Sequence, residues 1–578
     1  MYSGVDQIVL AILPPVVVWL VVSGIDDLVL LLLWTILKLR TTAISDPNPP
    51  LPPNPLPNQY RSTEPRPLGS GRPERPLAIF IPLWQEDAVV RAMVTQNVTA
   101  IQYKKYDIFI GAYPNDTPTL DAVRDMESRF ENVHLCLVPH DGPTSKADCL
   151  NWIYQTMLIH EDAALTRFAA IITHDAEDVI HGESLTAINA HLDRFEMIQV
   201  PVIPLPTPLT EIVHGIYIDE FCEFQKRDLW VRWRLGGFLP SAGVGTAFSR
   251  KAIERLAELG NNRVFEPACL TEDYENGFKV RALGYRQILL PLDKTAPVTR
   301  EYFPRTWRTA AKQRTRWATG IVWQGLEQHG WKGGPSQWWW HWRDRKGIIG
   351  HPIGLLANVI FLYGVITPIA SQSVAGPLIP LTLTFAAIQA ATRAILVATN
   401  YGWAQGLMSM LRIPAANLLN TIATMRASRQ YWQARARGEQ IPWLKTAHQY
   451  PNRFALEPHR PGLREILVQS AYCTAEAIEE AIATKPAGTP FGPWLVTRGV
   501  ISEEELYEAM SLQHALPLEF VHPWDVPRSA ARALPAHVLR ELEIVPIRSD
   551  NGQLIIGSPD ARSGNLKSPV RSDGRSNV

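Results

Sequence analysis

The apolar residues of this chain follow two patterns, and the change between them divides it. Residues 8–23, IVLAILPPVVVWLVVS, carry no charge; Asp26 and Asp27 follow, and the apolar run resumes as LVLLLLWTILKLR. The stretch has no basic start and no small-residue cleavage site, so it is not a simple signal peptide. It predicts one membrane span near residues 7–26, with Asp26 and Asp27 close to an interface, because acids inside a bilayer are costly. Residues 28–38 are either the rest of a tilted span or an interfacial helix. A second apolar region, 348–398, is broken by SQSVAGP at 371–377, which predicts spans near 349–370 and 377–398. Residues 402–425 are amphipathic, with Arg412 and Pro414 inside, and an interfacial helix is favoured there over a fourth span. Lys38, Arg40, Arg343, Arg345, Lys346, Arg393 and the Arg426–Arg437 group flank the spans on one side. The excess of positive charge places that side in the cytoplasm, together with residues 41–347 and the C-terminal part.

Between the spans the pattern shortens. Residues 46–76 are dense in proline and predict a semi-rigid linker or surface wrap. From residue 77, buried apolar runs alternate with helical ones: LAIFIPL (77–83), YDIFIGAY (106–113), VHLCLVP (133–139), AAIITHD (169–175) and MIQVPVIP (197–204). This alternation predicts an α/β domain with a mostly parallel sheet. Such sheets bind ligands beyond the carboxyl ends of their strands, where Glu86, Asp116 and Asp175 with its neighbours fall.

Composition removes some classes of function. The chain has 56 Lys+Arg against 56 Asp+Glu, so no basic surplus points to nucleic acid. Its 19 tryptophans, several in WKGGPSQWWWHW (331–342), suit membrane–water interfaces. Five cysteines occur without a CxxC pair, and no histidines are spaced for zinc. They read as reduced cytosolic thiols, neither a disulfide framework nor a zinc site. No GxGxxG follows LAIFIPL, so a nucleotide-dependent dehydrogenase fits poorly.

The candidate chemistry begins at AAIITHDAEDVIH (169–181), where an apolar run meets Asp175, Glu177 and Asp178. Like charges at a strand end repel, so a metal ion or a basic side chain belongs beside them. SKADCLNW (145–152) opens a helix with Lys146 in its first turn. LTEDYENGFKVRALGYR (270–286) sets Thr271 as an N-cap before Glu272 and Asp273. GGFLPSAGVGTAFSRKAI (236–253) reads as a small-residue loop leading into a helix. TWRTAAKQRTRWATGIVW (306–323) is helical by composition, with Gln313, Arg316, Trp317 and Gly320 on one face. Taken singly each is ordinary: a cap, a solvated first turn, a surface lysine, an interfacial arginine. Together they suit transfer from a nucleotide diphosphate donor. A pyrophosphate leaving group needs a divalent cation, which wants carboxylate oxygens such as those of Asp175 and Glu177. A hydroxyl acceptor needs a general base, for which Asp273 is placed. Gln313 and Arg316 can hold a diphosphate, and Trp317 can stack on a sugar.

The set PLWQED, YPND, SKADCLNW, HDAED, GVGTAFSR, TED and QRTRW resembles membrane-bound, processive family 2 glycosyltransferases. That group has a GT-A domain and includes cellulose, hyaluronan and poly-N-acetylglucosamine synthases. The resemblance covers roughly residues 77–425. It implies that Glu86 and Asp116 contact the nucleotide base and ribose, and Lys146 is placed with the donor-binding residues. Asp175 and Glu177 form the DxD-like element that binds metal, Mg2+ or Mn2+, and diphosphate; Asp178 can share that role. Asp273 is implied as general base, with Glu272 beside it at the catalytic centre. Gln313, Arg316 and Trp317 match the QxxRW motif near the donor diphosphate and the acceptor sugar.

With SGIDDL, YPND, RQYWQARARGEQIPWLKTAHQYP (429–451) and the tail, the chain is more closely similar to the phage-adsorption protein B family. Those are inner-membrane glycosyltransferases linked to a secreted exopolysaccharide that phages can use as a receptor. Their tail resembles the N-terminal domain of type II secretion ATPases, which in some members binds cyclic di-GMP. Here LREILVQSAYCTAEAIEEAIATK (463–485) aligns with FGPWLVTRGVISEEELYEAMSLQ (491–513), so that Leu467 matches Leu495 and Ile478 matches Leu506. Each copy predicts two short helices; LPLEFVHP and IVPIRSDNGQLIIGSPD (544–560) predict a strand and a hairpin. The arginine that opens the nucleotide motif is missing from both copies, so a cyclic di-GMP sensor and a packing or docking module both stay open.

The expected layout is an N-terminal transmembrane segment (1–40), a Pro-rich linker (41–76), a cytoplasmic GT-A domain (77–330), two transmembrane helices with interfacial helices (331–450), a small α+β regulatory domain (451–560) and a disordered tail (561–578). The expected activity is that of an inverting hexosyltransferase in a bacterial inner membrane. It would add sugars from a nucleotide sugar, expected to be UDP-linked, to a growing exopolysaccharide and export it, with a role in phage adsorption. Expected partners are the donor, a glycan acceptor, the lipid bilayer, an outer-membrane export partner and cyclic di-GMP. A non-processive transferase acting on a lipid phosphate would differ in product length, and the intact QRTRW argues against it. A catalytically silent membrane scaffold is opposed by intact Asp175, Asp273, Gln313 and Arg316.

Overall fold

The computed structural model describes residues 4–43, 73–292, 296–367, 373–439 and most of 462–558. The chain divides into two compact units, parting near Ala455 and Leu456. In the first, strands β1 (Leu77–Pro82), β2 (Tyr106–Ala112), β3 (Val133–Leu137), β4 (Ala170–Thr173) and β5 (Met197–Gln199) form where the apolar runs predicted them. Two short strands, β6 (Val202–Pro204) and β7 (Thr246–Ser249), precede β8 (Gln287–Leu289) and β9 (Thr299–Glu301). The main sheet runs β3-β2-β1-β4-β7-β5-β8. β1 lies parallel between β2 and β4, and Leu77 to Ile81 are fully buried, which explains their unbroken apolar run.

Two details differ from the sequence reading. MIQVPVIP is two strands: β5 joins the main sheet, whereas β6 pairs with β9 in a separate two-stranded sheet. Pro201 between them has no N–H to continue the ladder. GVGTAFSR, read as a loop, contains β7, the antiparallel strand between β4 and β5. Its small residues hid it, since strand signals rest on bulky β-branched and aromatic side chains.

Among the described residues, three helices are long and apolar enough to cross a membrane, spanning Gly4–Arg40, Gly347–Ile366 and Gly376–Tyr401. The first belongs to one unbroken 40-residue helix, Gly4–Ala43. At 1.5 Å per residue it is about 60 Å long, twice the hydrocarbon thickness. Residues 28–38 therefore continue the first helix, and they dock on protein: Leu30 is buried with Val231 and Trp340, and the Trp34 indole donates to the Lys226 carbonyl at 3.0 Å. Arg393, read as flanking a span, lies inside the Ile379–Tyr401 helix, where it bonds Glu223 at 3.0 Å. The amphipathic stretch forms the 35-residue helix Trp403–Arg437, which is not among the three. Its buried face includes Ser409, Arg412, Ala416, Leu419 and Ala423, and Arg412 forks onto Asp219 at 2.6 and 2.8 Å.

In the second unit, helices Leu463–Gln469, Ala475–Ala483, Phe491–Thr497 and Glu503–His514 bury the residues that the repeat equates. Leu467, Leu495 and Ile478 are fully buried, and Leu506 nearly so. Strands β10 (Val545–Asp550) and β11 (Gln553–Gly557) form an antiparallel hairpin. LPLEFVHP and the expected disordered tail lie outside the described residues, as does most of the Pro-rich segment.

Candidate active site

The acids and bases singled out above meet in a cleft of about 1040 Å³ at the carboxyl ends of β1 and β4. Glu86, Lys146, Asp175, Glu177, Glu272, Asp273, Gln313, Arg316 and Trp317 all line it. Asp116 does not. Its carboxylate accepts from the Gln85 backbone N–H at 2.5 Å, and Gln85 is left-handed with φ of 53°. Asp116 therefore shapes the turn that carries Glu86.

Three local arrangements build the centre. Ser145 caps the Lys146–Ala164 helix by accepting from the Asp148 N–H at 3.2 Å, which fixes Lys146 at its first turn. Lys146 Nζ lies 2.5 Å from Asp175 Oδ1. This pair answers the like-charge problem at the end of β4: a basic side chain does sit there. The Glu272–Ala282 helix points its N-terminus into the cleft and carries Glu272 and Asp273. Thr271 holds the N-cap position, but its hydroxyl makes no cap bond, contrary to the sequence reading. Gly243, with φ of 78°, crosses so closely that a Cβ there would lie 2.6 Å from Asp273 Oδ2, so the loop needs glycine.

Asp178 departs from its expected metal role. It is fully buried, bonds His174 Nδ1 at 2.7 Å and accepts from the Asp175 N–H at 3.0 Å. It holds the Asp175 loop from behind and is not part of the cleft lining. In QRTRW, Arg314 bonds Glu220 and Asn420, both at 2.6 Å, and stacks over Tyr217, while Arg316 faces the cleft. Gln313, Arg316 and Trp317 share the cleft face as predicted. Gly320 falls in a π-helical stretch, Ala318–Gln324, and packs on Thr271. Sequence reasoning passed over Trp84, Tyr113, Glu301 and Phe303, which also line the cleft. Trp84 and Tyr113 meet edge to face at 5.4 Å. Each sits within three residues of an acid singled out in PLWQED or YPND, the only signal the chain offered.

The electrostatics are lopsided. Among the described residues six carboxylates line the cleft, those of Glu86, Asp175, Glu177, Glu272, Asp273 and Glu301, against Lys146 and Arg316. Burial, with Asp273 adjacent, pushes the Glu272 carboxyl up to about 7. Burial also raises Asp273, against the pull of Lys146. Burial works to lower Lys146, but Asp175 and Glu272 overcome it and hold the ammonium charged. The buried Gln313 Oε1 and Arg316 Nε have no hydrogen-bond partner among the described residues. Such a set fits a hard divalent cation on Asp175 and Glu177: the donors are carboxylate oxygens, negative charge is in excess, and the Lys146 ammonium already marks a cation position.

A family model described as "Glycosyltransferase like family 2" matches residues 73–320. "Bacteriophage adsorption protein B" of Escherichia coli (strain K12) is 35% identical over 521 residues, covering 84% of this chain and 70% of that protein. "Bacteriophage N4 adsorption protein B" of Escherichia coli O157:H7 matches to the same extent. Among solved structures, the mannosyltransferase PcManGT from Pyrobaculum calidifontis, in complex with GDP-Man and Mn2+, is 17% identical. It covers 69% of this chain and 98% of its own, with a TM-score of 0.40. The mainly parallel sheet and the family match define a glycosyltransferase of family 2 with a GT-A domain. The chain belongs to the bacteriophage adsorption protein B family within that class.

Proposed function

We propose that this protein is a multi-pass inner-membrane enzyme that transfers sugars, with inversion, from a nucleotide sugar to a growing exopolysaccharide and exports the product. The observation that carries this reading is the convergence on one cleft of Asp273, Lys146–Asp175, Gln313 and Arg316, from four separate segments. In the proposed roles Glu86 and Asp116 serve the nucleoside, Asp116 through the turn it holds. Asp175 and Glu177 would hold Mg2+ or Mn2+, and the bound ion would supply positive charge to the leaving diphosphate. Lys146, Gln313 and Arg316 bind the diphosphate by charge and hydrogen bonds, and Trp317 borders the acceptor sugar. Asp273 takes the proton from the acceptor hydroxyl. That oxygen attacks the anomeric carbon while the bond to the diphosphate breaks, so a single displacement inverts the centre. Glu272, raised by burial and by Asp273, stands beside the base at the catalytic centre.

The layout of domains stated above is part of the proposal, with the unit after residue 456 as a regulatory module and cyclic di-GMP as its candidate ligand. An outer-membrane export partner and a role in phage adsorption belong to the same reading. The test uses inner-membrane vesicles containing the full chain, a panel of UDP- and GDP-sugars, and Mg2+ or Mn2+. Release of nucleoside diphosphate from one donor, cut at least about 100-fold by Asp273→Asn in a protein that still folds, is expected. Adding cyclic di-GMP tests the tail. Retained turnover in Asp273→Asn would sink the assignment of the base.

A further inference from the structure

The end of the sheet away from the cleft carries a second cluster of metal-ligand side chains. Asp107 lies at the start of β2, and His134 at the start of β3. His134 Nε2 is 2.7 Å from Asp107 Oδ1. His160, near the C-terminal end of the Lys146–Ala164 helix, brings its ring to 4.3 Å from the His134 ring. One ligand atom from each of the three lies within 4.8 Å of the others. Phe109 closes the inner side, 5.0 Å from the His134 ring and 5.4 Å from that of His160. The outer side is open, with 20% of the His134 side chain and 26% of that of Asp107 exposed.

We infer that Asp107, His134 and His160 form a second metal site, distinct from the cleft and suited to a zinc-class divalent ion. Two imidazoles and one carboxylate are the donors such an ion prefers, whereas Mg2+ and Ca2+ favour oxygen alone. Tetrahedral zinc at 2.0–2.1 Å sets its ligand atoms about 3.3 Å apart, a spacing between the 2.7 Å of the Asp107–His134 pair and the 4.8 Å within which all three ligand atoms lie, so binding would open the Asp107–His134 hydrogen bond. Water would complete the coordination from the open side. The site is remote from the chemistry: fourteen residues separate His160 from Lys146 on one helix, about 21 Å at 1.5 Å per residue. A bound ion would brace β2 and β3 against the helix whose first turn carries Lys146. The spacing rules that dismissed zinc did not see this site, because its three ligands come from three separate elements.

The test uses the full chain purified in detergent and stripped with a chelator, then titrated with Zn2+ against a chromophoric competitor. The Asp175→Asn background removes binding at the cleft. One zinc per chain is expected, with a rise in unfolding temperature. His160→Gln or His134→Gln should weaken binding at least about 100-fold, beyond the 10–100-fold typical of losing an outer-shell partner. Asp107→Asn, which keeps the shape of the side chain, should weaken it too and cancel the thermal gain. Co2+ in place of Zn2+ should give the strong visible bands of a four-coordinate site. Absence of zinc binding in the Asp175→Asn protein, or binding that survives both histidine substitutions, would overturn the inference and leave an Asp–His hydrogen bond with a stacked ring.

Discussion

Two buried charge systems in the first unit show opposite balances. One joins the N-terminal helix to the segments around it. There Asp26, Asp27, Glu223 and Asp228 face Arg227, Arg343, Lys346 and Arg393, in pairs 2.6–3.1 Å long. Burial alone would raise the Glu223 and Asp228 carboxyls, but Arg393 and Arg227 beside the first, and Arg227 and Arg343 beside the second, hold both below the usual range. The other system is the cleft. Its acids outnumber its bases, Glu272 and Asp273 are raised, and polar atoms of Gln313 and Arg316 lack partners among the described residues. A closed network holds helices together; an unbalanced one has room for a ligand that restores the balance.

The largest effect is expected where the imbalance carries chemistry. Asp273→Asn keeps size and shape but removes the base, and should cut nucleoside diphosphate release about 100- to 10,000-fold. Its unfolding midpoint should not fall, because the substitution removes a buried charge that lacks full compensation. Steady-state kinetics and a thermal melt on one preparation separate the two readouts.

The closed network should answer the opposite way. Arg343 bonds Asp26 at 2.6 Å, Asp27 at 3.0 Å and Asp228 at 3.1 Å, and its side chain is 8% exposed. Arg343→Met leaves those acids short of charge. Removing one member of such a buried set costs about 3–5 kcal/mol, so the midpoint in detergent should drop sharply. An unchanged melt would show that the pairs are not linked as a network.

Glu272 links the two behaviours through pH. Its folded pKa lies above its unfolded value, so ionising it costs stability. For this group, the empty protein is most stable below about pH 4.5, loses stability as pH rises toward about 7, and is level beyond. Glu272→Gln should flatten that slope and stabilise the empty protein near pH 8 by on the order of 2 kcal/mol. Identical melting profiles from pH 5 to pH 8 would show that Glu272 does not titrate there.

The same contrast explains what was legible in the sequence. β1 was readable because both its faces are buried and its apolar run is continuous, and β2 because Asp107 alone interrupts the same pattern. Five of the cleft acids were readable because chemistry restricts residue type at strand ends and helix starts; Glu301, at the end of the short strand β9, was not. The partners that close the other network were not, since Asp26 meets Arg343 and Lys346 across more than three hundred positions and no local pattern encodes that pairing. The place of Asp178 was hidden for a similar reason: its position beside Asp175 in sequence left a shared metal open, while its side chain turns inward to His174. β7 was hidden by its small residues and by the short run it occupies.

Exposed pairs set the lower bound of the comparison. Asp125 bonds Arg91 at 2.9 Å and Arg129 at 3.0 Å, distances like those of the closed network, yet the two arginine side chains are 53% and 54% exposed. Burial is the largest single influence on Asp125 and opposes its ionisation, but the Arg91 and Arg129 bonds and charges together outweigh it and hold the carboxyl below the ordinary value. The stabilisation is therefore present above the unfolded pKa and lost as pH falls through the folded one. Water and salt screen such pairs, so Asp125→Asn should cost about 0.2–1 kcal/mol at neutral pH, and less at about 1 M salt. The Arg343→Met loss should persist in the same salt, because its charges are shielded from solvent. If both substitutions lost their effect together on adding salt, burial would not be what separates the two kinds of pair, and the network around Asp26 would have to be treated as surface electrostatics.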